Sequence, residues 1–119
     1  MTARLTTLAR RADFLRAARA KRQATKGLIL QARKRATDEA DPDLIRVGYT
    51  CSKKIGNAVK RNRAKRRLRA IAREVICTKG QPGWDYVLIG RASSTTDRPY
   101  SDLVADLAYA LKVIHGKPK

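Results

Sequence analysis

The sequence predicts an α+β fold: one domain, residues 1–119, built as an α/β sandwich in the order α-β-β-β-α-β-α, with a small mixed sheet and a long basic central helix. Three observations carry that prediction. The chain has 119 residues, enough for a single core, and 43% of them are hydrophobic, which excludes disorder throughout. Short apolar runs of strand length alternate with stretches whose apolar residues recur at helical spacing. Residues 46–73 pass from an apolar run (47–51) through a Gly56-Asn57 breaker into a helix-period stretch, the order strand, turn, helix.

Residues 1–9 are expected to form a flexible arm with Leu5 and Leu8 as tethers. Residues 10–20 read as the first helix. Asp13 stands in its first turn, where the helix dipole favours a carboxylate. Phe14 and Ala18 share a face, with Ala17 beside them. Phe14 reads as a core anchor or as a ring on which a base stacks; at the edge of a cleft it is both. Residues 21–26 are basic and extended or turn-like, Gly27 marks a bend or bulge, and 28–32 is a strand followed by a basic patch at 33–35. Residues 37–43 form a loop with Asp41-Pro42 as its turn. The loop holds four of the ten acidic residues, so it is expected on the side away from any bound polyanion. Residues 44–51 then return as an antiparallel strand.

The central helix is expected over 57–76. At about 100° per residue, Ala64, Leu68, Ile71, Ala72 and Val75 share one face, which packs on the sheet. Asn62, Arg63, Arg66, Arg69 and Arg73 fall on the opposite side. Arg61 projects near the apolar face a turn before Ala64, with Asn57 another turn up. These two are expected to line a groove where the helix start leaves the sheet edge. Residues 77–83 end the helix and turn the chain, and Trp84 covers a core edge. The unbroken apolar run in 85–91 predicts a strand buried on both faces. Residues 92–99 read as a loop. The last helix, 100–114, carries the stripe Leu103, Leu107, Ala110, Leu111 and Ile114. Gly116 suits its C-cap, Lys112 and His115 suit the negative end of its dipole, and 116–119 is a tail. Strand 44–51, helix 57–76 and strand 85–91 make a crossover whose default hand is right.

Charge bounds the function. The net charge is +18 and the pI about 11.0, far beyond what solubility needs. From Leu44 to Arg73 there are eleven Lys or Arg and no acidic residue. A helix so basic repels itself unless something anionic lies along it, so nucleic acid is preferred to a merely solvated face. At 5% aromatic residues, base stacking is confined to a few positions. Cys51 and Cys77 are too few and isolated for a disulfide framework or a zinc site, and read as buried, reduced thiols of a cytoplasmic protein. No apolar run approaches the roughly 18 residues of a membrane span, and the N-terminus lacks the apolar core of a signal peptide. Arginines around most of the polar arc make the central helix a poor lipid anchor.

A protein nuclease needs a metal cluster, a His pair or positioned carboxylates. The chain has one histidine, His115, read as structural, and Asp102 and Asp106 share a face at i, i+4 that reads as solvated. No catalytic residue and no metal ligand is therefore expected, and the chain reads as a binding protein whose partner supplies any catalysis.

The runs Arg46-Val-Gly-Tyr, Ser52-Lys-Lys-Ile-Gly-Asn-Ala-Val-Lys-Arg-Asn-Arg and Lys65-Arg-Arg-Leu-Arg resemble the signature of the bacterial ribonuclease P protein component. The spacing of Arg61-Asn62-Arg63 after Lys53-Lys54-Ile55-Gly56-Asn57 makes the resemblance specific, and it extends more weakly over most of the chain. It implies a left-handed crossover and a role as protein subunit of a tRNA-processing endoribonuclease. In that enzyme the RNA subunit is the catalyst, acting with Mg²⁺. The implied partners are the catalytic RNA and the 5′ leader of precursor tRNA, with no membrane and no obligate protein partner. Arg61, Asn62, Arg63, Lys65, Arg66, Arg67 and Arg69 match the motif that faces the catalytic RNA, Lys60 lies within it, and Lys53, Lys54 and Asn57 match its preceding turn. Phe14 and Tyr49 match positions lining the leader cleft, which in the family lies between the sheet and the central helix; Asn57 and Arg61 are assigned to it as well. A second aromatic often follows the first by one turn in the family, whereas Ala17 and Ala18 stand here. The main alternative is a structural RNA-binding protein of ribosomal type. A DNA-binding module fits poorly, because the arginines spread too far around the helix for base readout and no second helix-turn-helix element precedes it. A protein-only metal-dependent nuclease lacks its ligands.

Overall fold

The computed structural model describes residues 4–36, 38–39 and 42–116. Its strands form one five-stranded mixed sheet in the order β1-β4-β5-β3-β2, from β1 (Leu5–Thr7), β2 (Lys21–Ala24), β3 (Leu28–Lys34), β4 (Ile45–Thr50) and β5 (Trp84–Gly90). The helices are α1 (Arg11–Ala18), α2 (Ala58–Lys79), α3 (Ser94–Asp97) and α4 (Tyr100–His115), with a 3₁₀ turn at Lys53–Ile55 before α2. This is the expected α+β class. The extended stretch after α1 provides β2, and Gly27 lies in the bend between β2 and β3.

Three expectations are corrected. The returning strand does not pair with β3. Instead β5 lies between them, parallel to β4 and antiparallel to β3. The most apolar strand takes the centre because both faces of the sheet are covered there, and the α2 crossover delivers it parallel to β4. The arm is not loose over its described part. Leu5–Thr7 pairs parallel with Ile45–Val47 and Leu8 is buried. A three-residue strand has too few residues to show a period of its own, and the open edge of β4 supplies its hydrogen bonds. Finally, the 92–99 loop contains α3. Residues 1–3 of the arm, residues 117–119 of the tail, and Thr37, Ala40 and Asp41 of the acidic loop lie outside the described residues.

Side-chain alternation divides the sheet into two layers. Leu28, Leu30, Ala32, Ile45, Val47, Tyr86 and Leu88 pack against α2 and α4 in the main core. The stripe predicted for α4 is buried as a set, and Ala64, Leu68, Ile71, Ala72 and Val75 bury the predicted face of α2, joined by Ile76. On the other face, Leu8, Ala17 and Val87 form a smaller cluster with Phe14 and Ile89, beneath α1. Strand β5 is thus buried on both sides, as its apolar run predicts. Helix α2 runs three residues past the expected end, and Cys77 sits on it, its thiol donating to Arg73 O at 2.6 Å. Both cysteines are free and half-buried rather than fully buried.

Candidate nucleic-acid interface

The start of α2 is built by side chains the sequence singles out. Ser52 Oγ accepts from Lys54 N at 3.3 Å, and buried Ile55 pins the turn to the core. Gly56 has φ +137°, a conformation that a Cβ strains, so the chain reverses there into the helix. Asn57 is the N-cap, its Oδ1 accepting from Lys60 N at 3.0 Å. Arg61 Nη1 donates to Gly56 O at 2.9 Å. Asn57 and Arg61 meet at the helix start, where both hold its turn. The first turn of α2 contains no acidic residue, so Lys53, Lys54 and Lys60 stand exposed beside the positive end of its dipole.

Beyond that turn, Asn62, Arg63, Arg66, Arg69 and Arg73 are exposed, and Lys65 is half-buried at the edge of the stripe. Arg67 departs from the expectation. Its guanidinium donates to Thr95 O (2.9 Å), Thr96 O (2.7 Å) and Arg98 O, and Arg63 Nε adds a bond to Thr96 O at 3.2 Å. The carbonyls at the end of the short α3 need donors, and Arg67 supplies them. Burial, reinforced by the charge of Arg63, holds Arg67 below the usual arginine value. Arg67 therefore ties α3 to α2 instead of facing outward.

On the α1 face lies a cluster that sequence reading missed. Asp85 is fully buried and accepts from Arg35 Nη1 (2.6 Å) and from both Nε and Nη2 of Arg46 (2.7 Å each). Arg33 lies 3.6 Å away and also pairs with Glu39 at 2.6 Å. Arg46 Nη2 reaches Asp13 of α1 at 3.6 Å, and Asp13 pairs with Arg16. The fork of Arg46 matches the carboxylate, and its own pKa rises chiefly through that bond. The available signal was an acid opening an otherwise apolar strand, but its arginine partners are 39 and 50 residues away. The network sets α1 over the sheet, and Phe14 then lies directly on Gly48: a Cβ there would stand 2.5 Å from Phe14 Cζ.

Gly48 and Tyr49 are successive residues of β4, so their side-chain directions oppose. Phe14 covers the α1 face, while Tyr49 packs against the main core on the α2 face. The structure therefore does not bring Phe14 and Tyr49 into one cleft. Tyr49 meets Arg69 instead, whose guanidinium carbon is 5.6 Å from the ring centroid. His115 is structural in its contacts, with Nε2 2.7 Å from Tyr86 Oη and its ring edge-on to Trp84 at 4.4 Å. Asp106 is not simply solvated, since Arg98 Nε pairs with it at 2.6 Å. Among the described residues, no three His, Cys, Asp or Glu side chains gather as a metal-ligand set, and no helix is long and apolar enough to cross a membrane.

Comparison with known proteins adds the following. A family model described as Ribonuclease P matches residues 2–115. The ribonuclease P protein component of Ruegeria pomeroyi is 58% identical over 112 residues, spanning 94% of this chain and 88% of that one. The protein of the same name from Caulobacter vibrioides is 44% identical over 110 residues, spanning 92% of this chain and 71% of its own. Among solved structures, the RNase P protein from Thermotoga maritima superposes with a TM-score of 0.72 at 28% identity, covering 93% of this chain and 99% of that one. The Staphylococcus aureus RNase P protein shares the fold, with a TM-score of 0.71 at 24% identity, covering 92% of this chain and 94% of that one.

Proposed function

The chain belongs to the ribonuclease P protein family, and from that premise we propose how its surfaces serve as the protein subunit of this tRNA-processing endoribonuclease. The subunit assists the catalytic RNA in removing the 5′ leader of precursor tRNA. One observation carries the division of labour. Among the described residues, every ion pair lies outside the segment from Lys53 to Arg73. Arg16, Arg33, Arg35, Arg46 and Arg98 are matched to carboxylates of the fold, whereas the exposed cations of α2 have no such match among the described residues and are left for a partner.

Lys53, Lys54, Lys60, Asn62, Arg63, Lys65, Arg66 and Arg69 face the phosphates of the catalytic RNA. Guanidinium forks bind phosphate oxygens in pairs, and each contact releases counterions, so binding weakens steeply with salt. Asn57 and Arg61 hold the turn that presents Lys53 and Lys54. The leader of precursor tRNA lies across the α1 face, with Phe14 as its aromatic support and Arg46 fixed beneath α1 by Asp85. Single-stranded RNA of variable sequence suits such a face, because stacking and backbone charge do not read base identity. In this reading Mg²⁺ acts with the RNA subunit. Cations that screen the crowded phosphates lower the concentration of Mg²⁺ the RNA needs. The place of action is the cytoplasm, where bacterial precursor tRNA is processed. A ribosomal-type structural role is not favoured, because the named relatives are ribonuclease P components.

The test is cleavage of precursor tRNA by a bacterial catalytic RNA at low Mg²⁺, with wild type and with Arg63→Ala/Arg66→Ala. Wild type restores 5′ cleavage, and the double variant does so only at higher Mg²⁺ or higher protein concentration. Tight RNA binding by wild type with no effect on cleavage would sink the processing role.

A further inference from the structure

Tyr49 stands apart from the leader surface, and the recess it enters has a chemistry of its own. This recess, of about 310 Å³, lies between the β1 edge, β4 and α2. Tyr49 and Val47 form its floor, Leu5 and Thr7 one wall, and Arg69 and Arg73 the other. The Tyr49 ring is half-buried with Arg69 over it, and burial raises its hydroxyl pKa, so the ring is neutral at physiological pH. Neither Arg69 nor Arg73 pairs with a carboxylate among the described residues. The wall also offers backbone groups. Leu8 N donates to Val47 O and Ile45 N to Arg4 O, so the even-numbered residues of this edge bond β4. By alternation, the N–H and C=O of Leu5 and Thr7 point away from the sheet, at its open edge.

A neutral ring and two cations face a recess at the small end of ligand-pocket size, with the edge backbone groups of β1 at its rim. We infer that it takes one unpaired nucleotide of a structured RNA, with Arg69 displaced from the ring so that the base stacks on Tyr49 and the phosphate meets Arg73. A ring recessed between helix and strand is reached by a base turned out of its helix, whereas an intact duplex presents only backbone to the two arginines. The nucleotide comes from an unpaired segment of the catalytic RNA or from the leader of precursor tRNA. The inference rests on the ribonuclease P reading and adds to it a contact on the opposite face of the sheet from Phe14.

The experiment titrates full-length protein, at one salt concentration, against three probes: a catalytic RNA transcript, leader-bearing precursor tRNA and an RNA duplex without unpaired residues. Wild type, Tyr49→Leu and Tyr49→Phe are compared. Loss of one stacked base predicts that Tyr49→Leu weakens one of the first two probes by about 5- to 140-fold, while Tyr49→Phe stays close to wild type. The affected probe identifies the source of the nucleotide, and the duplex is unchanged. Equal weakening of all three probes, or of none, overturns the inference. Should Tyr49→Leu melt near room temperature, wild-type protein is photo-crosslinked to each RNA carrying 4-thiouridine. A crosslink within residues 47–51 supports the site, and its absence with both RNAs overturns it. Wild-type stimulation of cleavage is measured in parallel. If stimulation is present and the Tyr49 effects absent, only this inference fails; if stimulation is absent, the functional reading itself fails.

Discussion

Asp85→Asn should be the most damaging single-atom exchange in this protein. Asp85 has 0% exposure, and its two oxygens accept from Arg35 and, bidentately, from Arg46, whose side chains are 2% and 17% exposed. Asparagine keeps the shape and one acceptor but removes the charge, so buried Arg35 loses its salt bridge to Asp85 and Arg46 keeps only its longer contact to Asp13. Breaking such an arrangement from one side costs about 3–5 kcal/mol, a large share of the roughly 5–15 kcal/mol that holds a typical domain. For a chain of this size that corresponds to a fall in Tm of about 12–20 °C. Because the network is buried, the loss should persist in about 1 M salt, where an exposed ion pair is screened away. Thermal unfolding by circular dichroism at low and high salt measures both. Arg46→Met in the Asp85→Asn background should cost less than the sum of the two single changes, since it removes one stranded cation. A drop in Tm of under about 4 °C for Asp85→Asn, or one that vanishes in high salt, would refute the buried network.

Three further outcomes follow from the same geometry. Arg67→Ala removes three bonds to the carbonyls of α3 and should cost about 1.5–3 kcal/mol, whereas Arg66→Ala, on the exposed stripe, should stay within about 0.5 kcal/mol while reducing RNA affinity; chemical denaturation and RNA titration separate the two roles. His115 should make stability fall on acidification. Burial, with help from Lys21, lowers its pKa below the unfolded value of 6.5, so the unfolded chain binds the extra proton first. The neutral-ring contribution is complete above pH 6.5 and is lost as the pH falls through the folded pKa. Melting temperatures between pH 7.5 and 5 should therefore drop more for wild type than for His115→Asn. With a net charge of +18, the free protein should gain Tm on addition of sulfate or pyrophosphate beyond the gain in chloride of equal ionic strength, and equal gains would show that no anion site contributes.

What was legible in the sequence follows from local repeats. The buried faces of α2 and α4 could be read from spacing alone, because a 3.6-residue period assigns each side chain to a face before any partner is known. The burial of β5 on both sides followed from its unbroken apolar run. The motif from Lys53 to Arg69 was equally legible, since a run of one charge sign is a property of neighbouring residues, whereas Asn57 reads in the sequence as part of a breaker and not as the cap it is. The rest depended on residues distant in the chain. Which strand lies beside β4, whether residues 5–7 pair at all, and which carboxylate holds Arg35 and Arg46 are set by contacts across tens of residues, and no local period encodes them. Arg66 and Arg67 are adjacent, the same residue type and on the same motif, yet one faces solvent and the other is held by α3. Tyr49 and Phe14 are both aromatic near β4, but strand alternation and the placement of α1 send them to opposite faces. Sequence by itself determined the basic helix and the expectation of a polyanion partner; the tertiary structure alone decided which of its charges are spent on the fold and which stay exposed, because that choice is made by the groups each side chain meets when distant segments pack.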